Sequence, residues 1–217
     1  MWAIVKASKV IQLVSSPKAV VINDTAHPKE IFIYWKKDQL KKIGVYQFIS
    51  SSQPDTRFET GGAVSYTVDD KLGTVTEKIT LKNKKITDTN EVDEKGDPLL
   101  DANGDQVVTK GLKTIYKEQI KKTAKALLSP TDWMVWRYVE DNKKTIPSKV
   151  STFRSNVRTK ADEICTAIDG CSSLTKLKEL FQNTYNKDGS IDVIAKMNDF
   201  PSNKDVKEYE RWWLPKT

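Results

Sequence analysis

The sequence predicts an α+β protein, with a small antiparallel β domain carrying one short helix at the N-terminus and an antiparallel helical bundle at the C-terminus. Three observations lead there. Before residue 83 the apolar residues sit in short alternating or β-branched runs; after residue 110 they recur at three- and four-residue spacing. Between them lies a polar stretch punctuated by Gly-Asp turns. The expected division is therefore a β-rich domain over 1–82, an arm or linker over 83–110 and a helical domain over 111–217. A chain of 217 residues, 38% of them hydrophobic, is long enough to bury a core. No run approaches the roughly 18 apolar residues that a membrane-spanning helix needs.

Trp2 to Val5 and Lys9 to Val14 are candidate strands, the second rich in β-branched residues. Ser15-Ser16-Pro17 marks a turn, and Ala19 to Ile22 a third strand ending at Asn23-Asp24. Lys36 to Ile43 suits a short helix, with Gly44 supplying a left-handed cap. Val45 to Ile49 alternates as a strand does, and Ala63 to Val68 with Thr74 to Leu81 reads as a hairpin. In the arm, Gly96-Asp97-Pro98 and Ala102-Asn103-Gly104-Asp105 are two turns eight residues apart, with Leu99 and Leu100 between them as candidate partner contacts.

The first helix of the C-terminal part should bury Leu112, Ile115, Tyr116, Ile120, Ala124 and Leu127. Ser129 is placed to cap the next, with Pro130 at its first position and Asp132 completing a capping box. Pro147 opens a long third helix, whose Val150, Phe153, Val157, Ala161, Ile164 and Ile168 share one face, ending near Gly170. Leu174 to Phe181 follows. Ser190 is expected to cap a helix through Val193-Ile194-Ala195, and Val206 to Trp213 to form the last.

Arg154 and Arg158, four residues apart, share a face beside the apolar stripe, with Asp132 and Glu140 as the acids available. One Arg–carboxylate pair crossing between helices, partly buried, is one reading, for which Asp132 and Arg158 are the pair to test by a double-mutant cycle. Solvent-exposed charges are the other. Adjacent residues on a helix point about 100° apart, so Trp212 and Trp213 are not expected to enter the same core together. One can pack inward while its neighbour anchors a partner, or both can be partly covered by a helix folded back.

Enzyme chemistry finds little support. His27 is the single histidine, and neither Cys165 nor Cys171 has a base beside it in sequence. Two cysteines six residues apart suggest free thiols in a reducing compartment. Asp101, Asn103 and Asp105 match the start of a calcium loop, but Gln106 stands where Gly is required and Leu112 where Glu is. Asn186 to Asp192 fails likewise at Ile191. No metal, cofactor or catalytic residue is expected. The net charge of +7 comes from 36 basic residues of which five are arginine. Scattered lysine solubilises more than it reads bases, so nucleic acid is not the expected partner. The exception is the row Lys113, Lys117, Lys121, Lys122 and Lys125 on one helix.

Two stretches resemble a known family. Thr131-Asp132-Trp133, Arg137, Glu140, Pro147, Phe153-Arg154 and Arg158, in that order, are similar to the C-terminal region of bacteriophage tail-fibre assembly proteins and related uncharacterised phage tail proteins. Pro28, Ile31-Phe32, Trp35 and, after a short helix, Ile43-Gly44-Val45-Tyr46 resemble the N-terminal part of the same group. The resemblance implies a non-enzymatic structural protein of the virion tail, baseplate or tail fibre, made in the host cytoplasm. It would contact other tail or fibre proteins as a homo-oligomer within an assembly. A tail-fibre assembly chaperone bound only transiently is the alternative, and a nucleic-acid-associated basic protein a second. The start, Met1 to Lys6, lacks the marks of a secretory signal.

Overall fold

The computed structural model describes residues 1–209, which fall into two compact units, Met1–Asn83 and the chain from Lys84 onward. Trp212 and Trp213 lie outside the described residues.

The first unit is built on a five-stranded sheet of β1 (Trp2–Lys6), β2 (Lys9–Val14), β5 (Val45–Ile49), β6 (Glu59–Asp69) and β7 (Thr74–Asn83), in the order β2-β1-β5-β7-β6. The expected small antiparallel sheet is corrected. β5 and β7 run parallel, so the sheet is mixed, and it curls until its edge strands β2 and β6 approach one another, nearly closing. The reason lies in burial. Val75 on β7 is fully buried with Ala3, Tyr46 and Phe48, whereas Thr60-Gly61-Gly62-Ala63 on β6 offers nothing to bury. The apolar strand takes the interior place and β6 is left at the edge.

A second small hairpin, β3 (Val20–Ile22) and β4 (Thr25–His27), was only half legible, as were two helices where one was expected: α1 (Ile31–Tyr34) and α2 (Lys37–Lys42). Ile4, Val14, Val20, Ile22, Ile31, Phe32, Leu40 and Val45 form the core on this side of the sheet. Gly44 has φ +84°, and a Cβ there would meet the Val5 carbonyl oxygen at 2.7 Å. The close approach lets Val5 N–H donate to the Gly44 carbonyl at 2.8 Å, tying the helix end to β1. Asp70 accepts from the Tyr46 hydroxyl at 2.7 Å and the Ser8 hydroxyl at 3.0 Å. The Tyr46 bond in particular holds the Asp70 carboxyl below its ordinary range and pushes the Tyr46 phenol up.

The second unit corrects the expectation of a helical bundle. It has one long antiparallel pair, α3 (Leu112–Leu128) against α5 (Ser148–Asp169). Around the pair are the short α4 (Asp132–Glu140) and α6 (Leu174–Glu179), three 3-10 turns, and two hairpins, β8 (Thr89–Asn90) with β9 (Val108–Thr109) and β10 (Thr184–Tyr185) with β11 (Ile191–Val193). The stripe of α5 from Val150 to Ile168 is buried as its spacing predicts, facing Leu112, Tyr116, Ile120 and Ala124 of α3. Ile115 is exposed instead. Ser190 caps no helix: its hydroxyl and N–H donate to Asp188 in the β10–β11 turn. Of the expected last helix, Val206 to Trp213, the described part falls within a 3-10 turn, Lys204–Tyr209, and the rest lies outside the described residues.

Candidate interaction surface

Three features of the second unit bear on function: a buried arginine that fixes the helices, a ribbon that projects apolar residues into solvent, and an aromatic face on α4.

Arg154 sits within the buried stripe of α5, only 6% exposed. Its guanidinium donates at 2.8 Å to each of three acceptors: the Leu128 carbonyl at the end of α3, the Thr131 hydroxyl and the Asp132 carboxylate at the start of α4. The Thr131 hydroxyl donates in turn to the Leu128 carbonyl at 3.0 Å. One planar cation thus satisfies an orphan carbonyl of α3, fixes the Ser129–Thr131 3-10 turn and pairs with the first residue of α4. Asp132, expected to complete a capping box with Ser129, is the partner of this cation, and Ser129 makes no side-chain cap. The partner of Asp132 is Arg154, not Arg158. Arg158 donates within its own helix to the Arg154 carbonyl at 3.5 Å.

The remaining motif residues are structural neighbours. Phe153 is buried, Pro147 precedes α5 as its cap residue with its carbonyl accepting from Ser151, and Glu140 is exposed at the end of α4. Trp133 is half-buried, its indole N–H donating to the Tyr209 carbonyl at 3.1 Å and its ring carrying the Arg137 guanidinium at 4.9 Å. The next turn of α4 faces water: Trp136 is 67% and Val139 70% exposed, with Tyr138 beside them. Sequence reading passed over this face, although Trp133-Met134-Val135-Trp136 and Tyr138-Val139 make α4 apolar all round. A helix so patterned on a small unit must leave part of itself uncovered.

The ribbon runs from Asp88 to Thr109 and is built from backbone and Asx turns. Asp93 accepts from the N–H groups of Lys95 and Asp97, and Asp101 from those of Asn103 and Asp105. Gly96 and Gly104 supply the left-handed residues, at φ +90° and +86°. The two turns are copies of one another, eight residues apart. The apparent calcium loop is explained here, because two backbone donors already engage the Asp101 carboxylate and hold it below its ordinary range. Three short strands result, joined where Leu99 N–H donates to the Glu91 carbonyl and Val107 N–H to the Leu99 carbonyl. The Gln106 amide donates to the carbonyls of Glu91, Leu99 and Val107, stitching all three.

The ribbon is rooted on the N-terminus of α3. Leu112 and Lys113 donate to the carbonyls of Lys85 and Ile86, and Gly111 N–H donates to the Asp88 carboxylate at 2.7 Å. These bonds satisfy donors that a helix start leaves open. The Gly111 bond is the main cause that holds the Asp88 carboxyl below its ordinary range, Thr114 adding to it. A Cβ on Gly111 would overlap the Thr87 carbonyl, so the crossing requires glycine. Nothing local in the sequence signalled a partner for Gly111 twenty-three residues away. Apolar residues gather on the ribbon: Val92, Leu99, Leu100 and Val108 are all exposed, and Val92, Pro98 and Leu100 line one face by their pairing.

Candidate catalytic groups are dispersed. His27 lies edge-on to Trp35 with ring centroids 6.1 Å apart. Cys165 and Cys171 are free thiols whose ionisation burial opposes, the reverse of an activated nucleophile. An open polar depression on α5 is lined by Thr159, Asp162, Glu163, Thr166, Ala167 and Lys196. Among the described residues no cluster of His, Cys, Asp and Glu is arranged to hold a metal, and no helix is long and apolar enough to cross a membrane. The lysine row of α3 is not one continuous stripe. Lys113 donates to the Asp169 carbonyl and Lys117 pairs with its carboxylate at 2.7 Å. Lys121, Lys122 and Lys125 remain exposed.

Compared with protein-family models, with curated proteins and with solved structures, the chain finds no match in any of the three.

Proposed function

We propose that this chain is a non-enzymatic structural protein of a tailed phage, held at a tail, baseplate or tail-fibre joint by protein–protein contacts. The observation that carries the proposal is a division of labour in the second unit. Asp132 and Arg154, part of the motif resembling phage tail proteins, fasten three helices together. The large apolar side chains left in water include those of the ribbon and of α4. Exposed apolar side chains rimmed by charge are a mark of association surfaces, and Trp and Tyr are the residues most enriched at their energetic centres. A rigid helical block presenting a projecting ribbon suits a joint between neighbours better than a site closing around a small molecule.

Mass spectrometry of gradient-purified virions tests the proposal. A fixed copy number relative to the tail-tube and fibre proteins is the expected result. Absence from virions, with the chain bound to fibre in infected-cell lysate, replaces it with the assembly chaperone. Release of the chain from nucleic acid by salt alone, with no protein partner, overturns both.

A further inference from the structure

The ribbon's charge is opposite to that of the chain bearing it. Residues 88–106 hold seven carboxylates and one lysine, a net charge of −6, within a chain whose net charge is +7; the remainder is therefore +13. The carboxylates of Asp93 and Asp101 are engaged in the turns, but Glu94, Asp97 and Asp105 stand exposed around Val92, Pro98 and Leu100. The second half of α3 offers the complement. Lys121, Lys122 and Lys125 are exposed and form no ion pair among the described residues. Their neighbour Lys117 is already neutralised by Asp169.

We infer that the occupant of the ribbon's apolar face is a second copy of this chain, whose Lys121–Lys125 segment on α3 meets the ribbon's carboxylates. The two surfaces differ, so copies pair either reciprocally, through two such contacts in a two-fold dimer, or head-to-tail. Head-to-tail repetition gives a ring if the rotation closes and a filament if it does not. Charge steers the copies together and sets their register, while Leu100 and Val92 supply the apolar contact that salt does not screen. The inference deepens the structural reading above and takes its setting from it, but can fail separately.

Sedimentation velocity on the full chain tests it, at about 20 mM and about 0.5 M salt, where the screening length falls from tens of ångströms to a few. The chain is expected to exceed its 24.6 kDa monomer mass at low salt and to dissociate at high salt. Two triple variants sharpen the result: E94K/D97K/D105K, which spares Asp93 and Asp101, and K121E/K122E/K125E. Each alone should be monomeric at low salt, with its thermal unfolding unchanged. An equimolar mixture should associate again, because each variant's ribbon then opposes the other's helix. Leu100→Ser, with charge untouched, should weaken association by about tenfold. A wild-type chain that stays monomeric at about 100 µM in low salt overturns the inference, as do triple variants that associate like wild type. Absence from virions would remove the phage setting and leave this result standing.

Discussion

The α3–α5 pair and the ribbon rooted beside it are held by opposite means. In the helix pair, side chains meet inside: Val150, Val157, Ile164 and Ile168 are fully buried, and one buried cation on α5 ties the end of α3 to the start of α4. In the ribbon, backbone bonds, two repeated Asx turns and the Gln106 amide do the holding, and the large side chains face water. Substitution of side chains should therefore be costly in the first region and nearly silent for folding in the second. What the ribbon's side chains contribute must be sought in contacts with something else.

The largest effect is expected where the end of α3 meets α5. Arg154→Ala should lower stability by about 3–5 kcal/mol in denaturant unfolding, since the Leu128 carbonyl and Thr131 hydroxyl lose a buried charged donor and keep only their bond to each other. Asp132→Asn should cost less, about 1–2 kcal/mol, because its carboxylate is half exposed and water compensates. A cost for Asp132→Asn equal to that of Arg154→Ala would mean that the charge pair, not the carbonyl and hydroxyl, holds the node. Ile164→Ala should cost about 2–5 kcal/mol through the cavity it leaves, whereas Leu100→Ala should change stability by less than about 0.5 kcal/mol. Equal costs for those two substitutions would erase the contrast.

The ribbon's root should respond to acid. The Asp88 carboxyl is held below its ordinary range in the folded chain, so its contribution is complete above the unfolded pKa and is lost as pH falls through the lower folded value. Amide exchange at Gly111 and Leu112 should quicken below about pH 4 relative to the middle of α3. Asp88→Asn should remove that difference; a root that loosens in acid with Asn in place would point to another group.

How much of this was readable beforehand depends on how local its cause is. The α5 stripe was legible because each member lies three or four residues from the next. The Gly44 cap and the two Gly-Asp turns were legible because turn chemistry is contained in adjacent residues. Arg154 was placed near that stripe, but its acceptors lie on the far side of a helix and a turn, so the wrong arginine was matched to Asp132. The parallel pairing of β5 with β7 arises from competition between β6 and β7 for the interior of the sheet, which no single window of sequence contains. The helical reading of 190–195 failed because Asn186-Lys187-Asp188-Gly189 closes a hairpin whose strands are too short to show alternation.

The most direct test of the account uses the pairing of Asn90 with Val108, which lets a two-residue turn replace residues 91–107 while keeping Asp88 and Gly111. Cells infected while making both the full and the shortened chain would yield particles in which the two are counted by mass spectrometry. The account predicts a fixed copy number of the full chain and depletion of the shortened one, although both fold. Equal incorporation would contradict the ribbon's role in assembly, and absence of both would contradict the structural role itself.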